Sequence, residues 1–158
     1  MARTYVITGS ASGIGLATAE KLKSLGNTVI GVDIHNADVV ADLSTPQGRV
    51  DAAKKAIQLS NNSIDAIIAC AGLAHPIATT VSVNYFGVTE FLNELLPTLT
   101  KSKTPRVVIT SSVASIMPNS AELVEAMCAN DEAKAVKIAQ GLVDAAAGGE
   151  QLIYGSTK

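Results

Sequence analysis

A chain of 158 residues is long enough for one domain with a sizeable core and short for two. Its 47% hydrophobic and 16% charged residues exclude a disordered polymer, and a net charge of −2 with no basic run beyond Lys54-Lys55 argues against a nucleic-acid partner. Cys70 and Cys128 match no metal-ligand or disulfide spacing, and no apolar run reaches membrane-spanning length, so the expectation is no metal, no membrane and a reduced, cytoplasmic setting.

Short apolar runs alternate with longer amphipathic stretches, the pattern of stacked βαβ units. The first strand is expected over Thr4 to Thr8, followed by a helix through Ile14, Ala17, Leu22 and Leu25, with Gly26 as a left-handed cap. Thr28 to Asp33 and the short Asp38 to Ala41 read as the second and third strands. Thr45-Pro46 reads as an N-cap with proline at the first helical position, leading a helix to about Leu59. Strand four is expected over Ile64 to Ala69, a long helix over Thr79 to Leu99 broken by Pro97, and strand five over Arg106 to Thr110. From Asn119 to Ala147 the chain is rich in Ala, Glu and Lys and predicts one or two inserted helices separated near Asn130-Asp131, ended by Ala145-Ala146-Ala147-Gly148-Gly149. Gln151 to Lys158 starts a further helix. The whole is expected to be a single α/β domain: a Rossmann-type, doubly wound parallel sheet of about five strands with a helical insertion near 119–147.

Between the first strand and its helix stands Thr8-Gly9-Ser10-Ala11-Ser12-Gly13-Ile14-Gly15. Glycines at that spacing permit a tight turn and let backbone N–H groups and the positive end of the helix approach a pyrophosphate. Asp33 closes the second strand 18 positions after Gly15, where a carboxylate can accept hydrogen bonds from adenosine ribose hydroxyls and repel a 2′-phosphate. NAD is therefore favoured over NADP. Each has a plainer alternative: a glycine loop that only turns, and a solvated aspartate at a strand end.

Tyr154 and Lys158 stand four apart, so on a helix they share one face. A tyrosine, with an ordinary pKa of about 10, is a poor base at neutral pH, and a nearby ammonium favours its phenolate as acceptor of an alcohol proton. Ser112, in Thr110-Ser111-Ser112-Val113-Ala114-Ser115, falls at the carboxyl edge of the sheet, where ligands bind in open α/β folds, though a serine-rich loop start is the commoner reading of that residue taken alone. Asn84 is a polar amide in an apolar helical stretch, the usual place of a satisfied core amide.

Together these elements resemble the short-chain dehydrogenase/reductase family: the Thr8 to Gly15 turn, Asp33, Asp42-Leu43, Ala71-Gly72, Asn84, Ser112, and Tyr154 with Lys158. The resemblance implies Ser112, Tyr154 and Lys158 as a catalytic trio, with Asn84 positioning a water that links to Lys158. It implies cofactor contacts from Gly9, Ser12, Gly13, Ile14, Gly15, Asp33, Asp42, Leu43, Ala71 and Gly72. Several stretches, among them Ala41 to Pro46 and Val83 to Gly87, are similar to a 3α-hydroxysteroid dehydrogenase/carbonyl reductase subgroup, and the gap of 42 from Ser112 to Tyr154 is also a feature of that subgroup. The implied activity is NAD-dependent interconversion of a secondary alcohol and a ketone, at the 3α-hydroxyl of a steroid. The alternatives are reduction of small ketones or aldehydes, and a truncated nucleotide-binding fragment without turnover, since family members continue past the lysine. The inserted helices would lie across the surface usually used for dimerisation, implying a homo-oligomer with a different contact. The family's usual Asn-Asn-Ala-Gly is Ala69-Cys70-Ala71-Gly72 here, so the hydrogen bonds of those asparagines must come from elsewhere or be absent.

Overall fold

The computed structural model describes residues 2–145 and 148–158; Ala146 and Ala147, in the run expected to end the inserted helices, lie outside the described residues. The chain divides into two compact units, one of residues up to Ala71 together with Val88–Thr110, the other of Gly72–Gly87 and Ser111–Lys158.

The first unit holds a five-stranded, all-parallel sheet in the order β3-β2-β1-β4-β5, with β1 Thr4–Thr8, β2 Thr28–Asp33, β3 Val39–Val40, β4 Ala66–Ala69 and β5 Arg106–Ile109. In register, Val6 lies between Ile30 and Ile67. Alternation along each strand sends Val6, Ile30, Val32 and Ile67 to one face and Ile7, Val29 and Ile68 to the other. Helix α2 (Pro46–Leu59) covers the first face with Ala52, Ala53 and Ala56, and α4 (Gly87–Leu99) with Phe91, Leu95 and Leu99. The opposite face takes α1 (Gly13–Ser24) through Ala19 and Leu22. Helices on both faces of a parallel sheet make the doubly wound architecture expected from the βαβ pattern.

Local chemistry sets the boundaries. Gly26, at φ +79°, ends α1 in a Schellman turn, its N–H on the Lys23 carbonyl and that of Asn27 on the Leu22 carbonyl. Thr45 Oγ1 accepts from Gly48 N at 3.1 Å to start α2, a cap contributing about 1 kcal/mol. β3 and β4 are shorter than the apolar runs suggested. The break expected at Pro97 is not there: α4 runs through it to Leu99. The proline falls in the last turn, where one missing N–H bond is outweighed by the burial of Leu95 and Leu99 against the sheet. The interruption lies instead at a π-helical turn, Ser82–Phe86, between the short α3 (Thr79–Val81) and α4.

The second unit is helical. Its core gathers Val81, Phe86, Leu123, Ala126, Met127, Ala135, Ala139 and Ile153 from α3, the π turn, α5 (Ala121–Cys128), α6 (Glu132–Asp144) and α7 (Gln151–Ser156). Ser120 and Asp131 cap α5 and α6 through the N–H groups of Leu123 and Lys134, and Asn130 makes the turn between them in the left-handed region at φ +56°. The separation near Asn130-Asp131 expected from the sequence is thus a left-handed residue followed by a cap.

Candidate active site

In the glycine-rich turn, Gly9 sits at φ +70° with its N–H on the Val32 carbonyl at 2.9 Å. A β-carbon there would lie 2.7 Å from Ala71 N, and one on Gly15 would run into the Gly9 carbonyl, so both glycines exist for close approach. Gly13, at φ +52°, opens α1, and Ser12 precedes it in extended conformation without capping it. The first N–H groups of α1, including those of Ile14 and Gly15, have no acceptor within the helix. Their turn carries no acidic residue, and Ile14 is exposed. That is an anion-receptive helix start.

Asp33 does more than its position suggested. Its side chain is only 12% exposed, with Oδ2 accepting from Ala11 N at 2.9 Å and Oδ1 from Ile34 N at 2.7 Å. The carboxylate therefore clasps the glycine-rich turn to the end of β2, and its remaining lone pairs can still accept from a diol. Asp42 is exposed, with Oδ1 accepting from Ser44 N at 2.9 Å, whereas Leu43 is buried in the core. After β4 the backbone is tied to β1 by Thr8, whose Oγ1 accepts from Cys70 N at 3.2 Å and Ala71 N at 3.1 Å. Thr110 Oγ1 adds a bond to Cys70 Sγ at 3.2 Å.

In the second unit the π turn delivers Asn84, buried at 6% exposure. Its Oδ1 accepts from Leu73 N at 2.7 Å, while Nδ2 donates to the Leu73 carbonyl at 2.9 Å and to Thr157 Oγ1 at 3.1 Å. The bland reading of a satisfied buried amide holds for these atoms, and the location adds to it. A β-carbon on Gly72 would lie 3.2 Å from Asn84 Oδ1 and 3.3 Å from Lys158 Nζ, so the amide and the ammonium converge on that glycine. Lys158 lies just past the end of α7, not within it, yet its Nζ stands 5.6 Å over the centre of the Tyr154 ring. Ser112 caps the 3₁₀ turn Val113–Ile116, its Oγ accepting from Ala114 N at 3.2 Å. That turn meets α7 at Gly155, where a β-carbon would crowd the Ala114 carbonyl at 3.1 Å, and Ser111 Oγ donates to the Lys158 carbonyl at 3.1 Å.

Sequence reasoning missed two residues. Thr157 links Asn84 to the Tyr154 carbonyl, to which its hydroxyl donates at 2.9 Å. Arg49 is fully buried on the sheet-facing side of α2. A signal for Arg49 was present: it stands three, four and seven residues before Ala52, Ala53 and Ala56, a charge on an apolar stripe. Among the described residues no group of His, Cys, Asp and Glu could hold a metal ion, and no helix is long and apolar enough to cross a membrane.

Residues 3–124 match the short chain dehydrogenase family. The chain is 39% identical over 158 residues to 3-alpha-hydroxysteroid dehydrogenase/carbonyl reductase of Comamonas testosteroni, covering 97% of this chain and 60% of that protein. It is 42% identical over 101 residues to coniferyl-alcohol dehydrogenase of Pseudomonas sp. (strain HR199 / DSM 7063), covering 58% of this chain and 37% of that protein. Among solved structures, the 3-alpha-hydroxysteroid dehydrogenase of Pseudomonas sp. B-0831 complexed with NADH superposes with a TM-score of 0.88 at 40% identity, covering 98% of this chain and 66% of that one. The chain thus spans less than two thirds of the length of these relatives.

Proposed function

We propose an NAD-dependent oxidoreductase that interconverts a secondary alcohol and a ketone, from the premise that this chain belongs to the short chain dehydrogenase family. The observation that carries the reading is the approach of Asn84 Oδ1 and Lys158 Nζ to one glycine, 3.2 and 3.3 Å from where a Gly72 β-carbon would lie, with the centre of the Tyr154 ring 5.6 Å from the same ammonium. A phenol with an ammonium beside it and a buried amide near the same ammonium suits proton transfer at the phenolic oxygen.

The residues of the first unit fit a dinucleotide. Gly9 and Gly15 let the turn pack tightly, where β-carbons would strike Ala71 N and the Gly9 carbonyl, a β-carbon on Gly13 would meet open space beside the unbonded first N–H groups of α1, and Asp33 at the end of β2 offers a carboxylate to a ribose diol. Ser12, Gly13 and Ile14 line the turn; Asp42 and Leu43 take the adenine end, and Ala71 the stretch after β4. Bound NAD supplies the hydride acceptor, and its reduced form the donor. In oxidation the Tyr154 oxygen takes the alcohol proton, and the nearby Lys158 ammonium stabilises the charge on that oxygen. Ser112 holds the substrate oxygen; accepting from Ala114 N uses a lone pair and leaves its proton to donate. Asn84, through Oδ1, holds the link from Lys158 towards a bridging water.

The substrate class we favour is the 3α-hydroxysteroids, supported by the names of two relatives at 39% and 40% identity. Small ketones and aldehydes are the second reading, since the name of one of them also includes carbonyl reductase. We place the enzyme in the cytoplasm as a single dinucleotide-binding domain with α5 and α6 inserted, in a homo-oligomer, with no metal, nucleic acid or membrane in its chemistry. The test is absorbance of reduced nicotinamide on mixing protein, NAD and androsterone. A rise that Tyr154→Phe abolishes is expected; a flat trace from protein active on other secondary alcohols removes the steroid assignment.

A further inference from the structure

Arg49 is buried completely on a helix face otherwise made of alanines, a position where a guanidinium is costly unless each of its edges is bonded. Its Nε donates to the Leu43 carbonyl at 2.8 Å, Nη2 to the Ser44 carbonyl at 3.1 Å, and Nη1 to Glu90 Oε2 at 2.7 Å. One planar fork thus grips two successive carbonyls of the loop between β3 and α2, and its other end is anchored to the first turn of α4. The same loop buries Leu43 in the core. The sheet stops at Val40, with one further bond from Ala41 N to the Asp33 carbonyl at 2.9 Å, and Asp42 accepts from Ser44 N through Oδ1 and from Thr45 Oγ1 through its carbonyl.

We infer that Arg49 is a positioning residue for the adenine end of the dinucleotide, setting the Asp42–Leu43 segment from beneath without touching the ligand. The inference rests on the reading that this segment meets adenine. A fork that fixes two consecutive carbonyls fixes the peptide plane between them, and with it the direction in which the exposed Asp42 and the backbone beside it face. A core residue that only filled space would not need carbonyls of that loop, and an apolar side chain would fill the space at less electrostatic cost.

The experiment titrates the unaltered chain, Arg49→Met, Arg49→Lys and Asp42→Ala with NADH, and with AMP and nicotinamide mononucleotide as separate halves, alongside a thermal melt. Arg49→Met is expected to weaken NADH and AMP by about tenfold, the loss of one charge-assisted bond, while nicotinamide mononucleotide is unchanged. Arg49→Lys keeps the charge but not the fork and is expected to lose AMP affinity as well, so it decides the matter should the methionine variant not fold. General loosening of the domain would lower both halves together, and that result overturns the inference. If Asp42→Ala weakens AMP and neither Arg49 variant does, Arg49 is only a core residue and the inference falls alone. If the unaltered chain binds no NADH, the dinucleotide reading falls and takes the inference with it.

Discussion

The glycine-rich turn and the Tyr154–Lys158 corner are built in opposite ways. In the turn, the groups that make the site are backbone groups a few residues apart, fixed by left-handed glycines and clasped once by a distant carboxylate, Asp33 on Ala11 N. In the corner, the groups are side chains from separate stretches, Gly72-Leu73, the π turn, Ser111-Ser112 and α7, brought together by Asn84, Thr157 and Ser111. The turn should therefore fail through single backbone-sensitive changes, and the corner through loss of shared hydrogen bonds.

The largest effect is expected at Gly9. Valine there must adopt φ +70° with its β-carbon against Ala71 N, which should cost about 3 kcal/mol or more in a melt and abolish NADH binding. Asn84→Ala comes next, leaving the Leu73 N–H and carbonyl and the Thr157 hydroxyl without that partner, at about 2–3 kcal/mol by denaturant melt. If Asn84→Ala instead left the melt unchanged, the corner would not be held as described. Asp33→Asn removes the charge but not the shape, and we expect NADH to weaken about tenfold with a smaller loss of discrimination against NADPH than Asp33→Ala gives, read by fluorescence titration.

The two regions also differed in how far the sequence exposed them. Gly9, Gly13, Gly15 and Asp33 announce themselves because a turn and a strand end are local, and local constraints leave residue types at fixed spacing. Asn84 was visible only as an odd amide, because its partners, Leu73 and Thr157, lie 11 and 73 positions away. The helix interruption was assigned to Pro97, the residue that breaks helices by its own chemistry. The actual π turn holds no proline or glycine, and its signal is the buried polar pair Ser82 and Asn84 within an apolar run. The bonds from Cys70 N and Ala71 N to Thr8 Oγ1 could not be read at all, since pairing of β1 with β4 must be known first.

The smallest effect belongs to the amino ends of β1 and β4 and serves as the control. The Ser102 hydroxyl, the Thr4 N–H and the charge of Arg3 hold Asp65 below the usual carboxylate range. A depressed folded value means stabilisation present above the ordinary carboxylate pKa and lost as pH falls through the folded one. Ser102→Ala should lower the melting temperature slightly at neutral pH, with the difference closing in acid, and should leave NADH binding untouched.

The most direct test of the central claim is calorimetric titration of the folded protein with NAD and with NADP. Saturable heat with NAD, at least tenfold weaker with NADP and lost in Gly9→Val, is the predicted result, the discrimination following from the Asp33 carboxylate. A folded protein that gives no heat with either dinucleotide would contradict the account.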